Sequence, residues 1–267
     1  CEAAVSDRKK VIVIGSGPIR IGQGIEFDCC STESILALKK MGIEAIMINS
    51  NPETLSTDFD IADRLYFEPV TFEHVANVIA LENPDGVIVQ LGGQTPLSLA
   101  RALNDAGFTL LGTSFDDIDR AEDRKRSHEL FATLGLHQPA SRTALTLDDA
   151  LNAGQSLGYP LMVRPSYVLG GRAMERVYNE RELLLYAEKA FKAAPNRPVL
   201  IDRFLDGAIE LDVDALSDGT SVYVAGILQH IEEAGIHSGD SLAVLPPYDL
   251  GPNIIEEVNE ATRRLCR

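Results

Sequence analysis

The chain has 267 residues, 45% of them hydrophobic and 24% charged, and its formal net charge at pH 7 is −16. This length and composition predict a globular chain of about two domains. The negative charge disfavours a nucleic-acid partner, whose phosphates would be repelled. The sequence has no apolar run long enough to span a membrane, no signal-peptide core, and four cysteines without disulfide or metal-pair spacing. We therefore expect a cytoplasmic protein with neither nucleic-acid nor membrane partners.

Strand and helix patterns alternate over residues 1–120. The predicted strands are near-continuous apolar runs, typical of parallel strands buried on both faces: Lys10–Gly15, Glu44–Asn49, Gly86–Gln90 and Thr109–Gly112. Helical patterns lie between them, at Gly24–Met41, Phe72–Asn83 and Pro96–Ala106. This order predicts a doubly wound parallel-sheet α/β domain.

Residues 121–267 have a different organisation. A charged helix, Ala121–Leu134, is followed by two more helical patterns at Leu147–Leu157 and Glu180–Lys192. The predicted strands look antiparallel, with a hairpin turn at Asp218-Gly219: Leu161–Pro165, Ala173–Tyr178, Pro198–Phe204, Ile209–Ala215 and Ser221–Ile231. The second domain is therefore predicted to be α+β.

A glycine-rich loop, Gly15–Gly24, follows the first strand at the position where a Rossmann fold binds pyrophosphate. The dinucleotide pattern fails at two points. Arg20 replaces the third glycine, and Asn49 stands where an acid would bind the ribose. The sequence therefore disfavours a dehydrogenase. The presence of glycine at positions 15 and 17 is explained by a tight turn next to the helix.

The segment Leu161–Met174, LMVRPSYVLGGRAM, suggests a nucleotide site without a P-loop. An arginine at a strand end and the bare N–H groups of a diglycine turn are complementary to a polyphosphate. An ordinary type I′ hairpin is the alternative.

Six blocks in order resemble the large chain of carbamoyl-phosphate synthase: GSGPIRIGQGIEFDCC, INSNPETLSTDFDIADRLYFEP, VIVQLGGQTPLSLA, GTSFDDIDRAEDR, VRPSYVLGGRAM and HIEEAGIHSGDS. GGRAM and HSGDS resemble the second, carbamate-phosphorylating half. The resemblance implies a pre-ATP-grasp domain over residues 1–120 and an incomplete ATP-grasp domain over 121–267. It further implies an ATP-dependent ligase that makes carbamoyl phosphate for pyrimidine and arginine synthesis.

The resemblance also assigns roles to individual residues. His230 and Arg164 are the implied catalytic pair, with His230 acting in carbamate phosphorylation. ATP would be bound by phosphate-contacting arginines, a glycine turn, an adenine-contacting strand, a ribose-binding acid and a loop: Arg124, Arg164, Gly170, Gly171, Arg203, Leu205, Glu210, Gly235, Ile236, His237 and Ser238. The backbone is the expected contact at Arg203. Ordinary ion pairing is the alternative for Arg124 and Arg164, and a structural role is the alternative for His230.

The implied cofactors are ATP and Mg²⁺ or Mn²⁺, with the family's metal ligands lying beyond Arg267, so we expect these residues alone to be inactive. The implied partners are a glutaminase small subunit, the other half of the large chain, and the substrates carbamate and ATP. Two alternatives stay open. One is a different ATP-grasp ligase or a biotin-carboxylase-like enzyme, against which NPETLSTD and GGQTPLSLA argue; the other is a non-catalytic scaffold.

Overall fold

The computed structural model describes residues 5–19, 25–165, 175–193, 198–236 and 241–267. The chain divides into two compact units, Cys1–Ser127 and His128–Arg267. Within the described ranges, no helix combines the length and the apolar character that crossing a membrane requires.

The first unit is built on a parallel sheet with the strand order β3-β2-β1-β4. Its strands are β1 (Lys10–Ile14), β2 (Glu44–Ile48), β3 (Arg64–Tyr66) and β4 (Gly86–Ile88). The helices that begin in this unit are α1 (Glu26–Lys40), α2 (Phe72–Glu82), α3 (Gln94–Leu97), α4 (Ala100–Asp105), α5 (Phe115–Glu122) and α6 (Arg124–Thr133).

Helices cover both faces of this sheet. On one face Ile12 packs in a cluster with Val75 of α2 and Leu103 of α4. On the other face Val13 packs with Ile35 of α1. Because successive residues of a strand point to opposite faces, all of β1 and β2 is buried. The predicted doubly wound architecture is confirmed.

Three predicted elements differ in detail. The predicted strand Thr109–Gly112 contributes a single parallel bridge, from Leu110 to Val87. The predicted helix Pro96–Ala106 is divided between α3 and α4, and the predicted helix Ala121–Leu134 is interrupted at Asp123, whose backbone is extended. The Asp123 carboxylate accepts a hydrogen bond from Arg126 N at 2.9 Å. It therefore starts a new helix instead of continuing the old one.

A buried ionic cluster lies where the strands of the first unit begin. Glu82, at the end of α2, is fully buried. Its carboxylate accepts from Arg64 Nη1 at 2.5 Å, from Lys10 Nζ at 3.4 Å and from the Tyr66 hydroxyl. Burial acts to raise the pKa of Glu82, but the hydrogen bonds from Tyr66 and Arg64 outweigh it and the pKa is lowered. The carboxylate is therefore held charged in the interior.

The second unit contains two antiparallel sheets. The first has the order β5-β8-β6-β7 and the second the order β11-β10-β9. The strands are β5 (Ser141–Ala144), β6 (Leu161–Pro165), β7 (Glu175–Val177), β8 (Val199–Arg203), β9 (Leu211–Ser217), β10 (Val222–His230) and β11 (Ala243–Val244). The helices are α7 (Leu147–Leu157), α8 (Glu180–Ala193) and α9 (Pro252–Leu265).

One face of the four-stranded sheet forms the core of this unit. Val163 and Ile201 pack there against Leu157 of α7 and Leu183 of α8. The predicted hairpin turn is also present, since the Asp218 carboxylate accepts from Thr220 N at 2.8 Å and from Ser221 N at 2.6 Å. The structure thus confirms an α+β unit after the doubly wound one.

We expect Thr146→Ala to lower the stability of the second unit by about 1 kcal/mol, the usual cost of a lost helix cap. Thr146 Oγ1 accepts from Asp149 N at 3.1 Å and the Asp149 carboxylate accepts from Thr146 N at 3.0 Å, so each residue caps the other at the start of α7. Urea denaturation measures the effect, with Gln155→Ala on the exposed side of the same helix as the control. Equal midpoints for the two variants would show that the cap contributes nothing.

Candidate functional site

Arg164 lies on the face of the four-stranded sheet opposite the helices, because its neighbour Val163 points into the core. Its Nε donates to Asp202 Oδ2 at 2.7 Å, and its Nη2 donates to the same oxygen. The side chain of Arg164 is 37% exposed and that of Asp202 only 9%. The ion pair left open as an alternative is therefore present. It engages two of the three guanidinium nitrogens, so the exposed remainder can still donate.

The end of β8 carries the residues expected near adenine. Arg203 Nη1 donates to the Leu157 carbonyl at 2.7 Å, at the end of α7. This side chain therefore has a structural partner. Leu205, two residues further, has a side chain that is more than half exposed. Leu205 thus presents an exposed apolar side chain shortly after the end of β8.

Glu210, His230 and Gly235 are brought together by hydrogen bonds. The Glu210 carbonyl accepts from His230 N at 3.0 Å, which extends the pairing of β9 with β10. The Glu210 carboxylate accepts from Gly235 N at 2.9 Å. The predicted ribose acid, the predicted catalytic histidine and the start of the predicted loop therefore form one connected group. Among the described residues, Arg164 bonds to Asp202 and not to this group.

His230 is buried at the end of β10, with 4% of its surface exposed. Its Nε2 lies 2.8 Å from Asp212 Oδ2. This hydrogen bond raises the pKa of His230, and the charges of Asp212, Glu210 and Glu232 act in the same direction against the opposing effect of burial. The imidazole therefore stays protonated to a higher pH than an ordinary histidine.

Carboxylate and amide side chains hold the segment that follows His230. The Glu232 carboxylate accepts from Ser241 Oγ at 2.8 Å and from Leu242 N at 2.6 Å. The buried Gln229 amide oxygen accepts from Tyr248 N at 3.2 Å and from Asp249 N at 3.1 Å. The described flanks of the loop that contains Gly235 and Ile236 are thus joined to each other through Glu232, and the chain after β11 is attached to β10 through Gln229.

Several predicted residues fall outside what the structure describes. Gly170, Gly171, His237 and Ser238 lie outside the described residues. Of Arg124 the structure describes the backbone, at the first position of α6. Among the described residues, no group of three or more His, Cys, Asp or Glu side chains is arranged to hold a metal ion.

The glycine loop of the first unit is held from inside the fold. Asn49 is fully buried, and its Oδ1 accepts from Gly17 N at 2.9 Å and from Ser50 N at 2.8 Å. Its Nδ2 donates to Ser56 Oγ at 3.1 Å. A Cβ at Gly15 would lie 2.6 Å from the Asn49 side chain, so only glycine permits this approach. Asn49 therefore holds the loop from within the fold.

Two acids at the site were missed by sequence reasoning. Asp202 binds Arg164 and Asp212 binds His230. Asp212 had a detectable signal, because the alternation in LDVDALS places Asp212 and Asp214 on one face of a strand. Asp202 had none, since its partner lies on a strand 38 residues earlier in the sequence.

Comparison with solved structures places the fold in a known class. The biotin carboxylase domain of the 2-oxoglutarate carboxylase of Hydrogenobacter thermophilus matches 97% of this chain and 58% of its own, with a TM-score of 0.76 and 19% identity. A phosphoribosylglycinamide synthetase from Anaerococcus prevotii matches with a TM-score of 0.64 and 17% identity. At such identities the likeness concerns the fold alone. Together with the family models that match its sequence, this fold is a pre-ATP-grasp domain followed by an ATP-grasp domain.

Sequence comparison identifies the family. Residues 7–120 match the carbamoyl phosphate synthase preATP-grasp domain, and residues 123–267 match the ATP binding domain of the carbamoyl-phosphate synthase L chain. The chain is 55% identical over 266 residues to the carbamoyl phosphate synthase large chain of Pseudomonas aeruginosa, of which it covers 25%. It is 56% identical over 258 residues to the C-terminal section of the large chain of Aquifex aeolicus, of which it covers 48%. The chain belongs to the carbamoyl-phosphate synthase large-chain family.

Proposed function

We propose that this chain is part of a glutamine-dependent carbamoyl-phosphate synthase and belongs to the half that phosphorylates carbamate with ATP. The observation that carries the proposal is the 56% identity to relatives named as C-terminal sections of the large chain. The chain spans about a quarter of the length of the full large chains it matches and about half of the C-terminal section of Aquifex aeolicus. The activity therefore belongs to a longer protein.

The described residues fit an ATP molecule. The accessible part of the Arg164 guanidinium suits a phosphate oxygen, and the exposed Leu205 suits the apolar face of a base. The Glu210 carboxylate can accept hydrogen bonds from ribose hydroxyls in addition to the one from Gly235 N. Because the Arg203 side chain is bound to Leu157, the backbone is the contact we assign to Arg203. By resemblance, the proposed nucleotide site also includes Arg124, Gly170, Gly171, Ile236, His237 and Ser238.

In the proposed reaction a carbamate oxygen attacks the γ-phosphorus, and the bond to the β–γ bridging oxygen breaks with its electron pair leaving on ADP. Arg164 binds the phosphates, Glu210 fixes the ribose, and His230 donates to the transferring group. Mg²⁺ or Mn²⁺ bound with ATP would neutralise the phosphate charge. The resemblance assigns the metal ligands to residues outside this chain.

The proposal includes partners and a setting. A glutaminase small subunit would supply ammonia, and the other half of the large chain would supply carbamate. The carbamoyl phosphate formed would serve pyrimidine and arginine synthesis. A reducing cytoplasmic environment belongs to the same proposal, and the free thiols of Cys29 and Cys266 support it.

We expect Glu210→Ala in the full-length protein to raise the ATP dissociation constant about tenfold or more, the effect of losing hydrogen bonds to a charged group. The variant should also discriminate less between ATP and 2′-deoxy-ATP, since the acceptor for the hydroxyl is gone. His230→Asn should bind ATP normally and slow ATP formation from carbamoyl phosphate and ADP. Isothermal titration and that partial reaction measure the two effects.

Asp214→Ala, a carboxylate on the same face of β9, is the control for Glu210→Ala. Unchanged discrimination against 2′-deoxy-ATP in Glu210→Ala would remove Glu210 from the ribose site. Normal phosphoryl transfer in His230→Asn would remove His230 from the chemistry.

A further inference from the structure

We propose that Asp212 is a positioning residue for carbamate phosphorylation, which holds His230 in one ring orientation and presents Nδ1 to the transferring phosphoryl group. The inference rests on the proposed function and extends it to a residue that neither the sequence reasoning nor the comparisons assign.

The strand register supplies the geometry. Asp212 lies opposite Leu228, and the Glu210 carbonyl accepts from His230 N, so Glu210 and Asp212 are the facing and diagonal neighbours of His230 on β9. The His230 side chain is only 2% exposed, and the 2.8 Å contact between its Nε2 and Asp212 Oδ2 fixes the rotation of the imidazole ring. Since Nε2 is engaged by the carboxylate, Nδ1 is the ring nitrogen that remains to contact a substrate.

The charged groups around His230 are anionic. Asp212 contacts the ring, Glu210 lies opposite it just before β9, and Glu232 follows it in the chain, whereas Asp214 lies two residues further along β9. On the other side, β11 places the uncharged Ala243 opposite it. Helix α9 contacts β10, and its cations are engaged elsewhere: Arg263 with Glu256 at 3.7 Å and Arg264 with the Leu134 carbonyl at 2.9 Å. These surroundings therefore favour the imidazolium form and raise the pKa of His230.

An imidazolium held in this way has one defined chemical role. Its Nδ1–H donates a hydrogen bond to the oxygens that gain charge as the carbamate oxygen bonds to the γ-phosphorus and ADP leaves. It neither gains nor loses a proton, so it acts by electrostatic stabilisation rather than as a base. Asp212 touches no reacting atom and acts only through the ring.

The first test uses the 267-residue chain and does not require activity. We expect the ¹⁵N NMR titration of His230 to show the doubly protonated ring persisting above the ordinary histidine range, and Asp212→Asn to lower the pKa of His230. Asp214→Asn, the same change two residues along β9, should leave the titration unaltered. The Asp212 side chain is half exposed and the replacement is isosteric, so the fold should be retained. An unaltered titration in Asp212→Asn would overturn the proposal.

The second test uses the full-length protein and the formation of ATP from carbamoyl phosphate and ADP. Asp212→Asn should lower kcat on the order of tenfold to a hundredfold, as loss of a carboxylate behind a functional histidine does elsewhere. KM for ADP should stay unchanged, and the alkaline limb of the pH profile should move to lower pH. Asp214→Asn should match the wild-type protein.

Two other outcomes separate the inference from the proposed function. If His230→Asn is slow while Asp212→Asn keeps the wild-type rate and pH profile, Asp212 has no positioning role and the proposed function stands. If His230→Asn is as fast as the wild-type protein, the role of His230 in the proposed function fails, and the inference fails with it.

Discussion

Glu82→Gln should lower the free energy of unfolding of the first unit by about 3–5 kcal/mol, the usual cost of removing one partner from a buried ion pair. Glutamine has nearly the same shape, so packing is kept. However, Lys10 and Arg64 would lose the anion between them. Arg64 keeps Glu44 at 3.2 Å, but the side chain of Lys10 is only 5% exposed and would be left without a carboxylate partner among the described residues. Hydrogen exchange of the β1 and β2 amides reports this unit selectively.

Glu73→Gln, in the exposed first turn of the same helix, is the matched control and should have little effect. The pH dependence follows from the lowered pKa of Glu82. Its stabilisation is complete above the ordinary glutamate pKa and is lost as the pH falls through the lowered one, so the difference between wild type and Glu82→Gln should shrink in acid. A pH-independent difference would mean that shape rather than charge is what Glu82 contributes.

Arg164→Lys is expected to weaken ATP binding by about tenfold to a hundredfold, the range for losing charge-assisted hydrogen bonds. Lysine keeps the positive charge beside Asp202 but cannot bind that carboxylate and a phosphate with one planar group. In the full-length protein the KM for ATP in carbamoyl-phosphate formation should rise, whereas glutamine hydrolysis should remain largely intact.

Arg142→Lys, on β5 of the same sheet, is the control, because Arg142 is exposed and bonds only to the adjacent Ser141 carbonyl among the described residues. An ATP KM equal to that of the wild-type protein would remove Arg164 from the nucleotide site. The role of Arg164 would then be limited to its ion pair with Asp202.

The elements that sequence reasoning predicted well are those whose periodicity is strong and local. The buried strands β1 and β2 and the helix α7 fall within a residue of the predicted bounds. Several of the missed elements have weak local signals. β3 has three half-buried residues, β11 has two residues, and α9 has no buried residue among its fourteen. Such elements depend on pairing with distant strands or on partners, which a single sequence does not contain.

The site was predicted less completely than the fold. The resemblance pointed to Glu210, His230 and Gly235 together, and the structure joins them by hydrogen bonds. It did not point to Asp202 or Asp212, because the roles it implies are ligand contacts, whereas these two acids contact the side chains of Arg164 and His230. Their recognition required strand register, which brings together residues 18 and 38 positions apart.

The inward-facing Asn49 has a consequence for redesign. In dinucleotide-binding folds the side chain at this position selects the cofactor by reaching outward to the ribose. Here it is turned inward, so any outward replacement would release the N–H groups of Gly17 and Ser50 and leave them without their acceptor. Converting this domain into a dehydrogenase-type cofactor binder is therefore a two-part problem, in which the loop must be rebuilt before the selecting residue can be changed. The topology would permit the conversion, but a single substitution would not achieve it.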